Sequence, residues 1–317
     1  MSGGLRAWLD ARPWLWSFGA ALIVWLVTAL VVQGRGMLAT LAVALQFATF
    51  YAIVGIGQMF TIAAGPGNID LSIPGVMTFA GYIAIGLMNG SNHGLLAGLA
   101  AGIGVGIVAG VFNVLLIQGL RIPPMIGTLA SGFVFQSMAI AYSRTTNAPP
   151  APLLVSFSAA RLLGVPLIAL LFIVFTGLVA AALQRSVFGR AVLAIGQNVR
   201  AARLAGLAVR RTLALVYLLS AILAAIAGIL LAAYSGGAAL DMGADYLLMS
   251  IAVVVLGGTS IAGGQASPAG LWGAATLLDL VVTMLNVMRV GAGVRYVVTG
   301  LIIIGVLALA KGRDEAA

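Results

Sequence analysis

The sequence contains no cysteine, a single histidine (His93) and a single lysine (Lys311) among its 317 residues. The absence of cysteine excludes disulfide bonds and thiolate chemistry. His93 lies in the polar stretch "NGSNHG" with no second histidine to share a metal ion, so we interpret it as a surface residue. Charged residues make up only 7% of the chain, whereas a soluble domain carries roughly 25%. A soluble globular protein is therefore excluded.

Apolar side chains dominate the sequence: hydrophobic residues make up 62% of it, and the mean hydropathy is +1.16. Runs of about 20 apolar residues are typical of helices that span a bilayer. We predict an all-α membrane protein with a single transmembrane domain over residues 1–317, about ten spanning helices and some broken or re-entrant elements. The predicted segments are 14–32, 39–63, 72–89, 94–118, 122–142, 164–184, 212–234, 246–263, 268–288 and 294–310.

Six arginines fall within residues 185–211, and no acidic residue accompanies them. The net charge of +9 is compatible with nucleic-acid binding, but the basic residues stand at the ends of apolar runs, which favours a role in membrane orientation. With the N-terminus inside, eleven basic residues are inside and five outside. The positive-inside rule therefore predicts cytoplasmic termini, a cytoplasmic segment 185–211 and an outer, proline-rich loop 143–163 on the membrane surface.

The fourth predicted segment carries a glycine at every fourth position, which places a ridge without side chains along one helix face. We expect this ridge to pack against a neighbouring helix of the same chain, with a subunit interface as the alternative. The ridge residues are Gly98, Gly102, Gly106 and Gly110.

Two glycine-rich breaks interrupt the apolar runs, "AAGPGNIDLSIPG" (63–75) and "VVVLGGTSIAGGQASPAG" (253–270). Asp70 lies in the first break, and a carboxylate at membrane depth is expected to face protein or a water-filled path. We weigh two roles for it: a cap of the following helix, or part of a solute path together with Asn68 and Ser72. The second break is interpreted as a tight turn, because no lysine follows it as a phosphate-binding loop requires.

The ninth predicted segment carries one polar stripe on an apolar helix. Such a stripe faces a water-filled path or another subunit, or it bonds to neighbouring helices. Together with further uncharged polar residues within the spans, it suits a neutral hydroxylated solute better than an ion. The stripe is Thr276, Asp279, Thr283 and Asn286, and the further polar residues are Gln46, Gln58, Asn113 and Gln136.

Within residues 186–211 the sequence predicts a short helix, Val199–Ala205, with Asn198 as its N-cap and Gly206 just after its end. The preceding "GQN" (196–198) is expected to form a turn. Arg200 and Arg203 share a face of this helix. The arginines either set topology and contact anionic lipid headgroups, or they belong to a docking element for another protein. A capped helix in the middle of a loop favours docking.

Three stretches in this order, "GNIDLS" (67–72), "FGRAVLAIGQNVRAARLAGLAV" (188–209) and "VVLGGTSIAGG" (254–264), resemble motifs of ribose-type ABC transporter permeases. The resemblance covers roughly residues 40–310. The sequence departs from the family pattern at "YLLMSIA" (246–252), where many sugar permeases carry an acidic residue, and at "AGL" (205–207), which replaces "SGI". These departures leave the substrate open.

The resemblance implies a type II-like importer permease: a pore-forming subunit in the bacterial inner membrane that acts with a second, identical or similar, permease subunit. Two ATPase subunits would bind ATP and magnesium, and a periplasmic binding protein would deliver a monosaccharide, docking near Asp241 and Asp245. No G-x-x-x-x-G-K-[ST] motif is present, so the chain itself is expected to bind no cofactor and to be no enzyme. The residues implied in ATPase coupling are Gly189, Arg190, Gly196, Asn198, Arg200, Ala202 and Arg203.

Other functions stay open from the sequence. A branched-chain amino-acid or nucleoside permease of the same superfamily would share these motifs. A proton-coupled secondary carrier would use Asp70 and Asp279, and an intramembrane hydrolase would need the two carboxylates to face each other. In the importer hypothesis Asp70, Asp279, Asn286 and their neighbours line or frame the solute path.

Overall fold

The structure is a computed structural model that describes residues 14–31, 33–34, 36–146, 148–291, 293–302 and 304. The last six residues of the predicted last segment, 305–310, lie outside the described residues. Five of the basic residues that were counted for the positive-inside rule also lie outside the described residues: Arg6, Arg12, Arg35, Lys311 and Arg313.

The described chain is almost entirely helical, with one small antiparallel strand pair, β1 (Arg161–Leu162) and β2 (Val165–Pro166). A 3-10 turn, Asn92–Gly94, precedes α4, and a π-helical stretch, Leu115–Gly119, follows it. The helices are α1 (Leu15–Val31), α2 (Met37–Ala63), α3 (Ile73–Met88), α4 (Leu95–Val114), α5 (Pro124–Ser143), α6 (Pro152–Ala159), α7 (Leu167–Arg185), α8 (Val187–Gln197), α9 (Val199–Leu204), α10 (Val209–Tyr234), α11 (Tyr246–Leu256), α12 (Pro268–Val287) and α13 (Gly293–Ile302).

Six of the described helical stretches are long and apolar enough to cross a membrane: α2, Asn92–Gly119, α5, α7, α10 and α12. These stretches make the chain a multi-pass membrane protein. The apolar helices α1, α3, α8, α11 and α13 are shorter, so the number of about ten spanning helices is not confirmed.

The predicted segment 246–263 is wrong as a single helix, because α11 ends at Leu256. The residues that follow include Gly258, Gly263 and Gly264, which adopt positive φ angles of 92°, 87° and 76°. Residues with side chains rarely adopt this left-handed backbone region, and a right-handed helix cannot continue through it. The second glycine-rich break, and not a continuous helix, therefore occupies the last part of the predicted segment 246–263.

Two short helices begin halfway through the helix bundle. Asp70, just before α3, bonds to Ser220 near the middle of α10. Tyr246, the first residue of α11, stacks on Tyr51 near the middle of α2, with ring centroids 4.8 Å apart. Between them, Gly243 lies so close to Pro74 that an added Cβ would be 2.4 Å from the Pro74 carbonyl oxygen. The N-termini of α3 and α11 thus meet inside the bundle, as the prediction of broken elements requires.

The core forms around α2 and α10, the two helices with the most buried residues. The predicted glycine ridge of α4 packs against α3 and α10 of the same chain. An added Cβ at Gly98 would be 2.5 Å from the Ala84 carbonyl oxygen, and one at Gly110 would be 2.7 Å from the Cα of Leu218. Close packing of backbones within one chain accounts for the ridge, so a subunit interface is not needed to explain it.

Opposite ends of the bundle carry the two longer connections. At one end, the Gly90 N–H donates to the Pro149 carbonyl oxygen at 2.9 Å, which ties the connection before α4 to the loop 143–163. This loop does not merely lie on a surface: its helix α6 packs on α10, and Gln46 donates to the Ser158 carbonyl oxygen at 3.1 Å. The segment 185–211 lies at the other end of α7.

Candidate functional site

The predicted coupling segment forms two consecutive helices, α8 and α9, that meet at Asn198. The Asn198 side-chain oxygen accepts hydrogen bonds from the N–H groups of Arg200 and Ala201, both at 3.0 Å, so it caps α9 as the sequence predicts. Gly206 has a φ of +82°, as expected for a residue just after a helix end. The predicted turn at "GQN" is wrong in part, because Gly196 and Gln197 form the last turn of α8.

Helix α9 has one buried and one exposed side. Ala202 is buried in a small cluster with Ile195 and Val209, which holds α9 against α8 and α10. Arg200 and Arg203 are exposed, and Leu204, the last residue of the helix, is 90% exposed. The outer side of α9 thus presents two arginines, and arginine is enriched at protein contact surfaces.

At the N-terminus of α8, Arg190 is also exposed, and its guanidinium donates to the Arg185 carbonyl oxygen at 3.2 Å. Gly189 is buried, and an added Cβ there would be 2.3 Å from the Cα of Leu183. Gly189 therefore serves the close contact between α7 and α8, whereas Arg190 faces outward with the arginines of α9.

Four glycines join the coupling segment to both glycine-rich breaks, and we call Gly65, Gly196, Gly263 and Gly264 the glycine junction. An added Cβ at Gly196 would be 2.0 Å from the Ala63 carbonyl oxygen and 2.3 Å from the Gly264 nitrogen. An added Cβ at Gly263 would be 2.5 Å from the Cα of Gly65. The end of α8 therefore touches the end of α2 and the loop between α11 and α12. Sequence reasoning identified each motif but not this contact.

Asp70 lies at the centre of a buried hydrogen-bond network formed with Ser72, Asn113 and Ser220, which we call the Asp70 network. One carboxylate oxygen accepts from the Ser72 N–H at 2.9 Å and from the Ser72 hydroxyl at 2.6 Å. The other accepts from the Ser220 hydroxyl at 2.7 Å. Asn113 donates to the Ser72 hydroxyl oxygen at 2.9 Å. A buried carboxylate satisfied in this way holds the first break to α4 and α10.

The remaining residues of the first break are fixed by neighbouring helices. Tyr217 of α10 donates to the side-chain oxygen of Asn68 at 3.0 Å, and the Leu71 N–H donates to Thr128 of α5 at 3.0 Å. Asp70 is 1% exposed, and α3 begins only at Ile73 with Ser72 in the cap position. Asp70 is therefore not the helix cap, and its geometry suits framing a path better than lining one.

The polar stripe of α12 does not face one common space. Asp279 is buried and accepts a hydrogen bond from Thr283 at 3.2 Å, whereas exposed Asn286 accepts one from the Arg295 guanidinium. Thr276 borders a separate, largely apolar cavity next to Trp272. The stripe thus divides among a hydrogen bond within α12, a hydrogen bond to α13 and the wall of a separate cavity. This division depends on neighbouring helices, which a pattern within one helix does not contain.

The uncharged polar residues predicted inside the spans mostly bond within the chain. Gln46 and Asn113 have the partners described above, and Gln136 donates to the Leu240 carbonyl oxygen at 2.7 Å. Gln58 differs, because both atoms of its side-chain amide are buried without a hydrogen-bond partner among the described residues. Most of these side chains therefore stabilise the bundle.

A cavity of about 250 Å³ opens between α2, α11 and α13. Tyr51 contributes to its wall from α2, Asp245 from the start of α11, and Arg295, Tyr296 and Thr299 from α13. Asp245 is one of the two residues predicted near the docking site of a binding protein, and the structure places it in this cavity wall together with Tyr51.

The fold and these features define a class: a multi-pass membrane protein with broken helices inside the bundle and an exposed, arginine-bearing helix at one end. Such a combination is typical of membrane-embedded transport subunits. The family described as branched-chain amino acid transport system / permease component matches residues 39–307, and the chain belongs to this family.

Curated relatives cover most of the chain. It is 31% identical over 265 residues to the autoinducer 2 import system permease protein LsrD of Photorhabdus laumondii, covering 80% of this chain and 79% of the relative. It is 34% identical to LsrC of an Enterobacter species, over 76% and 71% of the two chains. It is 31% identical to the ribose import permease protein RbsC of Bacillus subtilis, over 80% and 78%. No solved structure matches.

These findings confirm the resemblance to sugar-type ABC transporter permeases. The chain is a permease component, so it is a transport subunit and not an enzyme.

Proposed function

We propose that the chain forms the pore of an ATP-binding cassette importer in the bacterial inner membrane and conducts a neutral, monosaccharide-like solute. It works with a second permease subunit, identical or similar, and with two ATPase subunits that bind ATP and magnesium. A periplasmic binding protein delivers the solute at the end that carries the loop 143–163. The names of the ribose and autoinducer 2 relatives support this class of solute.

The observation that carries the proposal is α9: a capped two-turn helix whose buried side is fixed by Ala202 and whose outer side presents Arg200, Arg203 and Leu204. Setting topology needs only charges near segment ends, and it needs no capped helix. We infer that a groove on the ATPase receives this outer side. Arg190 at the start of α8 extends the same basic surface.

Movement of the ATPases reaches the pore through the glycine junction. Helix α8 adjoins α9 at Asn198, and Ile195 of α8 packs with Ala202 of α9. Gly196 at the end of α8 lies against the end of α2 and the loop that follows α11. A tilt of α8 therefore displaces two helices that border the interior. The Asp70 network holds the start of α3 to α10, so α3 stays in place while α11 moves. The distance between the N-termini of α3 and α11 therefore changes.

The finer topology belongs to the same proposal. Ten membrane segments with cytoplasmic termini include α3 and α11 as half-length helices. The opposite locations of the loop 143–163 and the segment 185–211 along α7 support this arrangement. Docking of the binding protein at Asp241 stays a prediction.

Purification of the tagged full-length chain from its own host tests the proposal. We expect an ATPase with a G-x-x-x-x-G-K-[ST] motif to co-purify, and vesicles of the complex to take up a neutral sugar only with ATP and magnesium. Uptake driven by a proton gradient without an ATPase would favour the secondary carrier that uses Asp70 and Asp279. Uptake of leucine instead of sugars would favour the amino-acid permease that the family description names.

A further inference from the structure

We propose that the cavity between α2, α11 and α13 is a transit site for a neutral polyhydroxylated solute, with Asp245 and Arg295 as its hydrogen-bonding groups. The inference rests on the proposed function, because it identifies where the conducted solute binds. The wall also includes Tyr51, Tyr296 and Thr299, together with apolar side chains such as Leu248.

The chemistry of the wall matches a polyol. A carboxylate only accepts hydrogen bonds and a guanidinium only donates them, whereas each hydroxyl of a sugar does both. Asp245 and Arg295 together carry no net charge, so a cation or an anion would be attracted by one of them and repelled by the other. The tyrosine rings offer flat apolar faces with a polar tip, and such a mixture is typical of small-molecule sites. The volume of about 250 Å³ suits one small solute.

Helix capping does not explain why Asp245 is present. It occupies the position before α11, but its side chain makes no capping hydrogen bond, and it remains exposed. Its neighbour Tyr246 stacks on Tyr51 near the middle of α2, which places the carboxylate at membrane depth. A charged group at that depth is expected to face a water-filled space or a partner. A solute path provides the water-filled space.

The opposite wall is fixed in place. The Arg295 guanidinium donates to Asn286 of α12, so a neutral partner orients it without removing its charge. Asn286, one residue of the predicted polar stripe, therefore supports this cavity wall from behind.

The absence of native cysteine makes a direct test available. Thr299→Cys, or Ala244→Cys as a second reporter, places one thiol in the cavity wall of the full-length chain, and Thr145→Cys places one at an exposed loop as the control. Membrane vesicles are treated with a charged, water-soluble thiol reagent in the presence of D-ribose, D-glucose, D-galactose or L-leucine. A sugar present at about ten times its Kd should slow labelling of the cavity thiol by about tenfold.

We expect at least one sugar, and not leucine, to protect position 299 or 244, while labelling at position 145 stays unchanged. Adding Arg295→Gln or Asp245→Asn should abolish the protection, whereas Arg289→Gln, which removes an exposed arginine outside the cavity, should preserve it. Absence of labelling at both cavity positions, labelling that none of the three sugars slows, or protection that survives both cavity substitutions would overturn the inference. Co-purification of the ATPase is measured separately, so failure of this site and failure of the importer function give different results.

Discussion

The backbone N–H of Gly264 donates a 2.9 Å hydrogen bond to the carbonyl oxygen of Ala63. This bond joins the end of α2 to the second glycine-rich break, and Gly196 at the end of α8 lies against both of its atoms. Three stretches that are far apart in the sequence therefore share one contact. Any displacement of the coupling segment acts on both breaks at once.

Gly196→Ala should uncouple ATP hydrolysis from transport. The new Cβ would stand 2.0 Å from the Ala63 carbonyl oxygen, so α8 must shift away from the glycine junction, at a typical cost of about 1–3 kcal/mol. We expect the variant complex to hydrolyse ATP with little solute uptake. Gly104→Ala is the control, because no atom of the described residues lies within 4 Å of the added Cβ, and it should behave as the unmodified chain. Equal uptake by both variants would show that the glycine junction does not transmit movement from the ATPases to the pore.

Ser220→Ala should destabilise the bundle. It removes a 2.7 Å hydrogen bond to the Asp70 carboxylate, which is 1% exposed and has no access to water as a replacement. The expected loss is about 1–3 kcal/mol, measurable as a lower Tm in detergent. Ser137→Ala serves as the matched control, since the Ser137 hydroxyl is exposed and bonds only to its own helix. An unchanged Tm for Ser220→Ala would mean that the Asp70 network does not hold α3 to α10.

Asn198→Ala should loosen α9 without affecting membrane insertion. The side-chain oxygen satisfies two N–H groups at the start of the helix, and loss of such a cap costs about 0.5–2 kcal/mol. Hydrogen exchange at residues 199–204 should accelerate, and ATP-driven uptake should fall. Asn198→Ser restores a capping oxygen and should recover both. If exchange accelerates while uptake stays normal, a preformed α9 is not required for coupling.

Reversal of the two exposed charges of α9, Arg200→Glu with Arg203→Glu, should weaken binding of the ATPase. Repulsion across an interface costs more than about 1.4 kcal/mol, which corresponds to about a tenfold loss of affinity. Co-purification of the ATPase measures this loss. Arg210→Glu with Arg211→Glu changes the same number of charges at the start of α10 and should retain the ATPase. Loss of the ATPase in both double variants would indicate a general effect of charge on the cytoplasmic side.

The sequence was most informative where structure depends on neighbours along the chain. The Asn198 cap, the positive φ of Gly206 and the short helix between them follow from preferences within a few residues, and the structure has all three. The glycine ridge was equally predictable, because residues spaced by four lie on the same face of a helix.

Contacts between distant stretches were not predictable in this way. Asp70 and Ser220 are 150 residues apart, and neither stretch carries a sequence signal that predicts contact with the other. The length of α11 was misjudged because Val, Ile and Ala around a glycine pair read as one apolar run, while the positive φ of Gly258 ends the helix. The division of the polar stripe of α12 was not predictable from that helix alone, because it depends on neighbours that belong to other helices.

Crosslinking from α9 provides the most direct test that this helix is the contact for the ATPase. A photoreactive group on Leu204→Cys is compared with the same group on Leu163→Cys. These leucines are 90% and 97% exposed, and Leu163 precedes the start of α7 whereas Leu204 lies beyond its end. Illumination of the complex in native membranes should join position 204, and not position 163, to the ATPase. If position 204 reacts only with lipid while the ATPase is present in the complex, α9 is not the coupling element.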